Sequence, residues 1–97
     1  MSEVVLRKKD ERYEIHDLHL GDLTLSVTYL NAGQNTIGHL HSQEEGYYIA
    51  SGLGRMMVND RITQVSGGQF MVVPPNTYHR IFNDGLLSLV FICAWEK

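Results

Sequence analysis

The chain has 97 residues, 43% of them hydrophobic and 20% charged, with a net charge of −3, enough for one buried core but not two, so residues 1–97 are expected to form a single domain. Eight Lys and Arg against eleven Asp and Glu give no basic surface for phosphate backbones, which argues against nucleic acid as a partner. No apolar run approaches a membrane span, and Met1-Ser2-Glu3-Val4 lacks the basic and apolar regions of a secretory leader, so the cytoplasm is the expected compartment and no membrane is expected.

In chain order, the run Arg7-Lys8-Lys9-Asp10-Glu11-Arg12 reads as a solvated turn or strand edge. His16 and His19, three apart in an extended stretch, face opposite ways and read as surface residues. Leu23 to Tyr29 alternates apolar and polar residues, as a half-buried strand does. The small, β-branched and aliphatic residues of Thr36-Ile37-Gly38-His39-Leu40-His41 favour a strand, which turns His39 and His41 to one side. Ser42-Gln43-Glu44 is a short turn, and a second strand opens on Glu45, so that a tight pair of strands brings Glu45 back beside the two imidazoles. Glu44 should point away; a turn one residue longer would exchange the roles of Glu44 and Glu45.

Met56-Met57-Val58 and Arg61 to Val65 flank Asn59-Asp60, a hairpin turn pair. Gly67-Gly68 breaks the chain before Gln69 to Val73. Pro74-Pro75-Asn76 then ends that strand and re-aims the next, which lets His79 reach the first three candidates from a different direction. Asn83-Asp84-Gly85 precedes a final apolar strand, Leu89 to Trp95. Cys93 is the lone cysteine, which excludes an internal disulfide, and it reads as a small buried apolar residue. Short strands at regular spacing with turn residues between them indicate an all-β sandwich or barrel.

Three neutral imidazoles and a carboxylate, from His39, His41, His79 and Glu45, make an N₃O donor set. It suits one divalent transition metal, Fe, Mn, Ni, Co, Cu or Zn, rather than Ca²⁺ or Mg²⁺, which want oxygen shells. Four protein ligands on an ion that prefers six leave two positions for a chelating small molecule, and Glu45 cancels one of the two positive charges, so the site favours anionic oxygen chelators. On parity, Tyr47 and Ile49 share the face of Glu45, and Ile81 and Asn83 that of His79, so these four would line the pocket. Glu45 and Tyr47 are the candidate catalytic residues. Tyr47 has a proton to give, or else packs in the barrel with its hydroxyl on a backbone group. Arg55 and Arg80 are candidates to hold a carboxylate or phosphate, although parity sets Arg80 opposite His79. No second Asp, Glu or Lys is expected on the inner face near the ligands, so a general base would come from Glu45, the substrate or the metal's own hydroxide.

The spacing of these residues resembles the two motifs of the cupins. Gly33, His39, His41, Glu45 and Gly52 match the first motif, and Gly68, Pro74, Asn76, His79 and Asn83 the second, with Asn76 where the family usually has glycine. Asparagine is the residue that replaces glycine at least cost where φ is positive. The resemblance runs from Gly33 to Asn83. It implies a small antiparallel β-barrel or jelly roll with the metal on His39, His41, Glu45 and His79, and a homodimer, which would also suit so small a core. It further implies a metal-dependent dioxygenase, decarboxylase or isomerase acting on a small oxygen-rich anion. The alternatives are a module that binds or senses such a ligand without turnover, and a purely structural metal.

Overall fold

The structure is a computed structural model that describes residues 3–97; Met1 and Ser2, the start of the stretch read for a leader, lie outside the described residues. The described chain is all β, with nine strands: β1 (Glu3–Lys9), β2 (Tyr13–Leu20), β3 (Leu23–Leu30), β4 (Glu45–Ser51), β5 (Leu53–Val58), β6 (Arg61–Ser66), β7 (Phe70–Val73), β8 (His79–Phe82) and β9 (Leu89–Glu96). A six-stranded sheet runs β1-β2-β3-β9-β4-β7 and a three-stranded sheet β6-β5-β8, and every pairing is antiparallel. This is the small antiparallel barrel or jelly roll expected from the sequence. No helix among the described residues is long and apolar enough to cross a membrane.

The turn chemistry accounts for the connections. Asn59 and Asn76 both adopt positive φ, 54° and 57°, so the asparagine at the glycine position of the second motif takes up the backbone that the position requires. Gly54 marks a close approach instead. A Cβ there would collide with the carbonyl oxygen of Phe82 and lie 2.8 Å from Cδ2 of Leu89, so Gly54→Ala is expected to cost about 1–3 kcal/mol through forced separation of β5 and β8. A urea midpoint that falls with unchanged slope would show it, and an unmoved midpoint would mean the two strands lie further apart than this.

Strand register explains where the core gives way to a pocket. Inward residues fall into rungs across β2, β3, β9 and β4. Tyr13, Leu30 and Leu89 form the first; Ile15, Thr28, Phe91 and Ile49 the second; Asp17, Ser26, Cys93 and Tyr47 the third. The first is made of two leucines and a tyrosine, and with Met56, Val73 and Ile81 it belongs to the buried hydrophobic core. The third carries a carboxylate, a hydroxyl, a thiol and a phenol, so polarity rises along the strands toward one end of the barrel.

Two local expectations are corrected. In β3 the alternation is present but reversed: Thr24, Ser26 and Thr28 are buried, while Leu25 and Val27 are half-buried and Tyr29 exposed. Alternation fixes the period, and the partner strands decide which face turns inward. Residues 36–41 do not form a regular strand paired with β4. They hold to β8 through an isolated bridge between His39 and His79, with bonds from Thr36 N to the Ile81 carbonyl and from Asn76 N to the His41 carbonyl; β4 pairs with β7 and β9 instead. The charge run from Arg7 to Arg12 does lie on an edge strand and the turn after it, with Arg7 and Lys8 exposed, and those two residues also border the pocket described next.

Candidate metal centre

His39, His41, Glu45 and His79 each offer a donor atom, and the four atoms lie within 4.8 Å of one another. Their elements explain the convergence. The bridge between His39 and His79 exchanges both backbone hydrogen bonds, 3.2 and 3.0 Å, which sets the two rings side by side with centroids 4.6 Å apart. His41, two residues along the same extended segment, puts its ring 4.5 Å from that of His39. Glu45 opens β4 on the inward face, and Glu44 is exposed, so the longer-turn alternative does not hold.

The ring nitrogens are already sorted. Nδ1 of His39 lies 2.8 Å from the carbonyl oxygen of Ile37, and Nδ1 of His79 lies 3.0 Å from that of Thr77. A carbonyl only accepts, so each Nδ1 carries the proton and donates, leaving the Nε2 lone pair of a neutral ring free for a metal. Nε2 of His79 is fully buried and has no hydrogen-bond partner among the described residues; it lies 3.7 Å from Oε2 of Glu45, too far for a bond. A buried nitrogen without a protein partner beside a carboxylate is a pair of groups that a cation would satisfy together. Burial lowers the His41 pKa against the opposing pull of Glu45, with His39, His79 and Arg7 adding to the lowering, so this ring too is held toward its neutral, ligating form. The cluster therefore fits a divalent transition metal.

Glu45 is 3% exposed and its carboxylate is fully engaged. Oε1 lies 3.1 Å from Nε2 of His41. Oε2 accepts from the hydroxyl of Tyr47 at 2.9 Å and from the thiol of Cys93 at 3.0 Å. Burial, then the neighbouring Cys93 and Glu45, push the Tyr47 phenol far above its ordinary range, and burial with Glu45 raises Cys93 likewise, so both keep their protons and act as donors. The hydroxyl of Tyr47 thus rests on a carboxylate rather than on the backbone. Cys93, read as a small apolar residue, is buried as expected and also bonds the site. Its cross-strand pairing with Tyr47 is a long-range register, which nothing near position 93 announces.

The cluster opens into a cavity of about 490 Å³, within the range of small-molecule sites. Two of the four candidate ligands, His39 and His41, are exposed, and Glu45 and His79 are buried. Tyr47 and Ile81 line the cavity as expected, but Ile49 and Asn83 do not. Ile49 is wholly buried in the core, and the Asn83 amide donates to the carbonyls of Leu30 and Leu87. Arg55 pairs with Asp84 at the surface, and Arg80 donates to the carbonyl of Thr36 and stacks on Phe82; neither reaches the cavity. The expectation of no further charge on the inner face is also corrected, since Lys8 lines the cavity and Asp17 is buried on the inward side of β2. His16 and His19 bond Glu14 and Thr24 and stay apart from the cluster.

Residues 26–95 match the family described as Cupin domain. The uncharacterized protein MJ1618 of Methanocaldococcus jannaschii is 34% identical over 72 residues, which make up 73% of this chain and 58% of that protein. The chain thus spans somewhat over half the length of this curated relative. Among solved structures, an RmlC-like cupin from Shewanella frigidimarina matches with a TM-score of 0.84 at 15% identity, covering 97% of this chain and 84% of that one. An oxalate decarboxylase of Lactobacillus farciminis, solved as a formate complex, matches at 0.87 and 19% identity, covering 95% of this chain and 31% of that one. At such identities the structural likeness concerns the fold alone.

Proposed function

The chain belongs to the Cupin domain family, and from that premise we propose that it is a metal-dependent enzyme acting on a small, oxygen-rich anion that chelates through two oxygens. One observation carries the reading: a buried carboxylate and a buried, unpartnered imidazole nitrogen sit beside two exposed histidines in an open cavity. A structural site would be closed. His39, His41, Glu45 and His79 would hold the ion, and a divalent transition metal bound there supplies Lewis acidity or, if redox-active, reactivity toward O₂.

The chain's own residues do the remaining work. The Nδ1 bonds to Ile37 and Thr77 hold two imidazoles in their ligating tautomer. Tyr47 and Cys93 donate to one oxygen of Glu45, which fixes its orientation. Of the two candidate catalytic residues, Glu45 would help hold the ion and is the carboxylate that could accept a proton, and Tyr47, which holds its own proton tightly, orients that carboxylate. Ile81 and Phe91 keep the cavity wall apolar, which strengthens polar contacts made inside it.

The test is reconstitution with Fe²⁺, Mn²⁺, Ni²⁺, Co²⁺, Cu²⁺ or Zn²⁺, followed by a panel of oxalate, hydroxy acids, keto acids, sugars and catechols. Oxygen uptake, CO₂ release and proton NMR would be followed. Metal-dependent turnover of at least one chelating anion, lost on addition of a chelator, is the expected result. A compound that raises the melting temperature without turnover would make the protein a binding or sensing module instead.

A further inference from the structure

Arg7 stands in the pocket wall through an irregularity of β1. Val5 pairs with Asp17, Leu6 with His16 and Lys8 with Ile15, so the register shifts at Arg7 and three residues of β1, Leu6 to Lys8, oppose two of β2. Such a bulge re-aims side chains: Lys8 comes to stand opposite the inward Ile15, and Arg7 and Lys8, adjacent in sequence, both line the cavity.

Arg7 is also held firmly. Its Nε lies 2.9 Å from Oδ2 of Asp17, its Nη2 donates to Oγ of Ser26 at 3.1 Å, and its guanidinium stands 5.9 Å from the centre of the Trp95 ring. Asp17 is 6% exposed and its other oxygen has no hydrogen-bond partner among the described residues. Burying a carboxylate this poorly satisfied is costly, and its one ionic contact is the arginine that it pins. Nε and Nη2 being engaged, Nη1 has no acceptor among the described residues. Lys8, whose nearest acid is Asp10 at 4.0 Å, adds positive charge that Asp17 does not cancel.

We infer that Arg7, positioned by Asp17, Ser26 and Trp95 and assisted by Lys8, is a second anchor in the cavity, binding an oxyanion on the end of the ligand remote from its chelating oxygens. The inference rests on the function proposed above and narrows its substrate class to two-ended acids. One end chelates at the histidine cluster, and a short carbon spacer passes apolar wall such as Ile15, Ile81 and Phe91. The other end carries a carboxylate or a phosphate. A guanidinium presents paired donors to either, and a bond to a charged partner exceeds a neutral one in strength.

Calorimetry on the Co²⁺-loaded protein, with the visible Co²⁺ spectrum recorded in parallel, tests this. The probes are 2-oxoglutarate, 2-oxopentanoate, which lacks the distal carboxylate, and the phosphate-ended pair 3-phosphoglycerate and glycerate. Each two-ended acid that binds is expected to do so about tenfold or more tightly than its one-ended counterpart, and the preferred pair distinguishes carboxylate from phosphate. Arg7→Gln is expected to abolish that preference while leaving the Co²⁺ spectrum and the affinity for the one-ended acid unchanged; Arg7→Lys should restore part of it. One-ended acids that bind as tightly as two-ended ones, or a preference that survives Arg7→Gln, overturn the inference and leave the proposed function standing. Probes that neither bind nor perturb the spectrum overturn the inference and count against the proposed function as well.

Discussion

Replacing His79 with alanine is expected to strip the protein of metal while leaving the barrel folded. His79 starts β8 and is 2% exposed, and the bonds that place it are backbone bonds to His39, which an alanine keeps. What the substitution removes is the buried Nε2, an atom with no protein partner to lose. The metal-free variant should therefore suffer only the cavity and the lost Nδ1 bond to Thr77, about 1–3 kcal/mol. Metal affinity should fall by more than the 10–100-fold that outer-shell changes cost, so bound metal after dialysis should drop from about one ion per chain to a small fraction of that. Elemental analysis measures it, with far-ultraviolet circular dichroism to verify the fold. His16→Ala and His19→Ala are the controls and should keep their metal, since those rings lie against Glu14 and Thr24. A His79→Ala protein that retains stoichiometric metal would remove His79 from the site.

The candidate ligands were legible because each signal is local. His39, His41 and Glu45 fall within seven residues, and the backbone twist that Asn76 tolerates is a property of that residue type, borne out at φ 57°. The turn at Asn59-Asp60 was legible for the same reason. Pairing between distant strands was not. The reversal of β3 is invisible in an alternating run, whose pattern reads the same with either face inward; Ser26 and Thr28 turn inward because the rungs they join line the cavity. Cys93 meets Glu45 and Tyr47 across the register of β4 and β9. Arg7 was hidden twice, once by its charge run, which resembles a solvated loop, and once by a bulge that appears only when β1 is laid against β2. The inner face of this barrel is polar where it is functional, so a search for apolar inward residues passes over the residues that hold Glu45 and Arg7.

Metal loading should itself be among the largest changes of stability this protein shows. Among the described residues, Nε2 of His79 is buried with no hydrogen-bond partner, a cost of about 1–3 kcal/mol, and the Glu45 carboxyl is buried beside a phenol, a thiol and an imidazole. A cation relieves both at once and binds the folded chain far better than an unfolded one whose four donors are scattered. At a free metal concentration one thousand times its Kd, the stabilisation is about 4 kcal/mol, and in a domain of this length each kcal/mol moves the melting temperature by about 4–8 °C. The expected rise on saturating with Zn²⁺ or Ni²⁺ is thus about 15–30 °C by differential scanning calorimetry, reversed by a chelator. Mg²⁺ and Ca²⁺ should do little, because three of the four donors are imidazoles. Glu45→Gln, which keeps the side chain's size but removes its charge, should shrink the rise for Zn²⁺ and Ni²⁺ alike. A rise of only a degree or two in the unaltered protein would mean that the four donors do not act together on one ion, and equal rises for Mg²⁺ and Zn²⁺ would mean that the response comes from surface carboxylates rather than from the histidines.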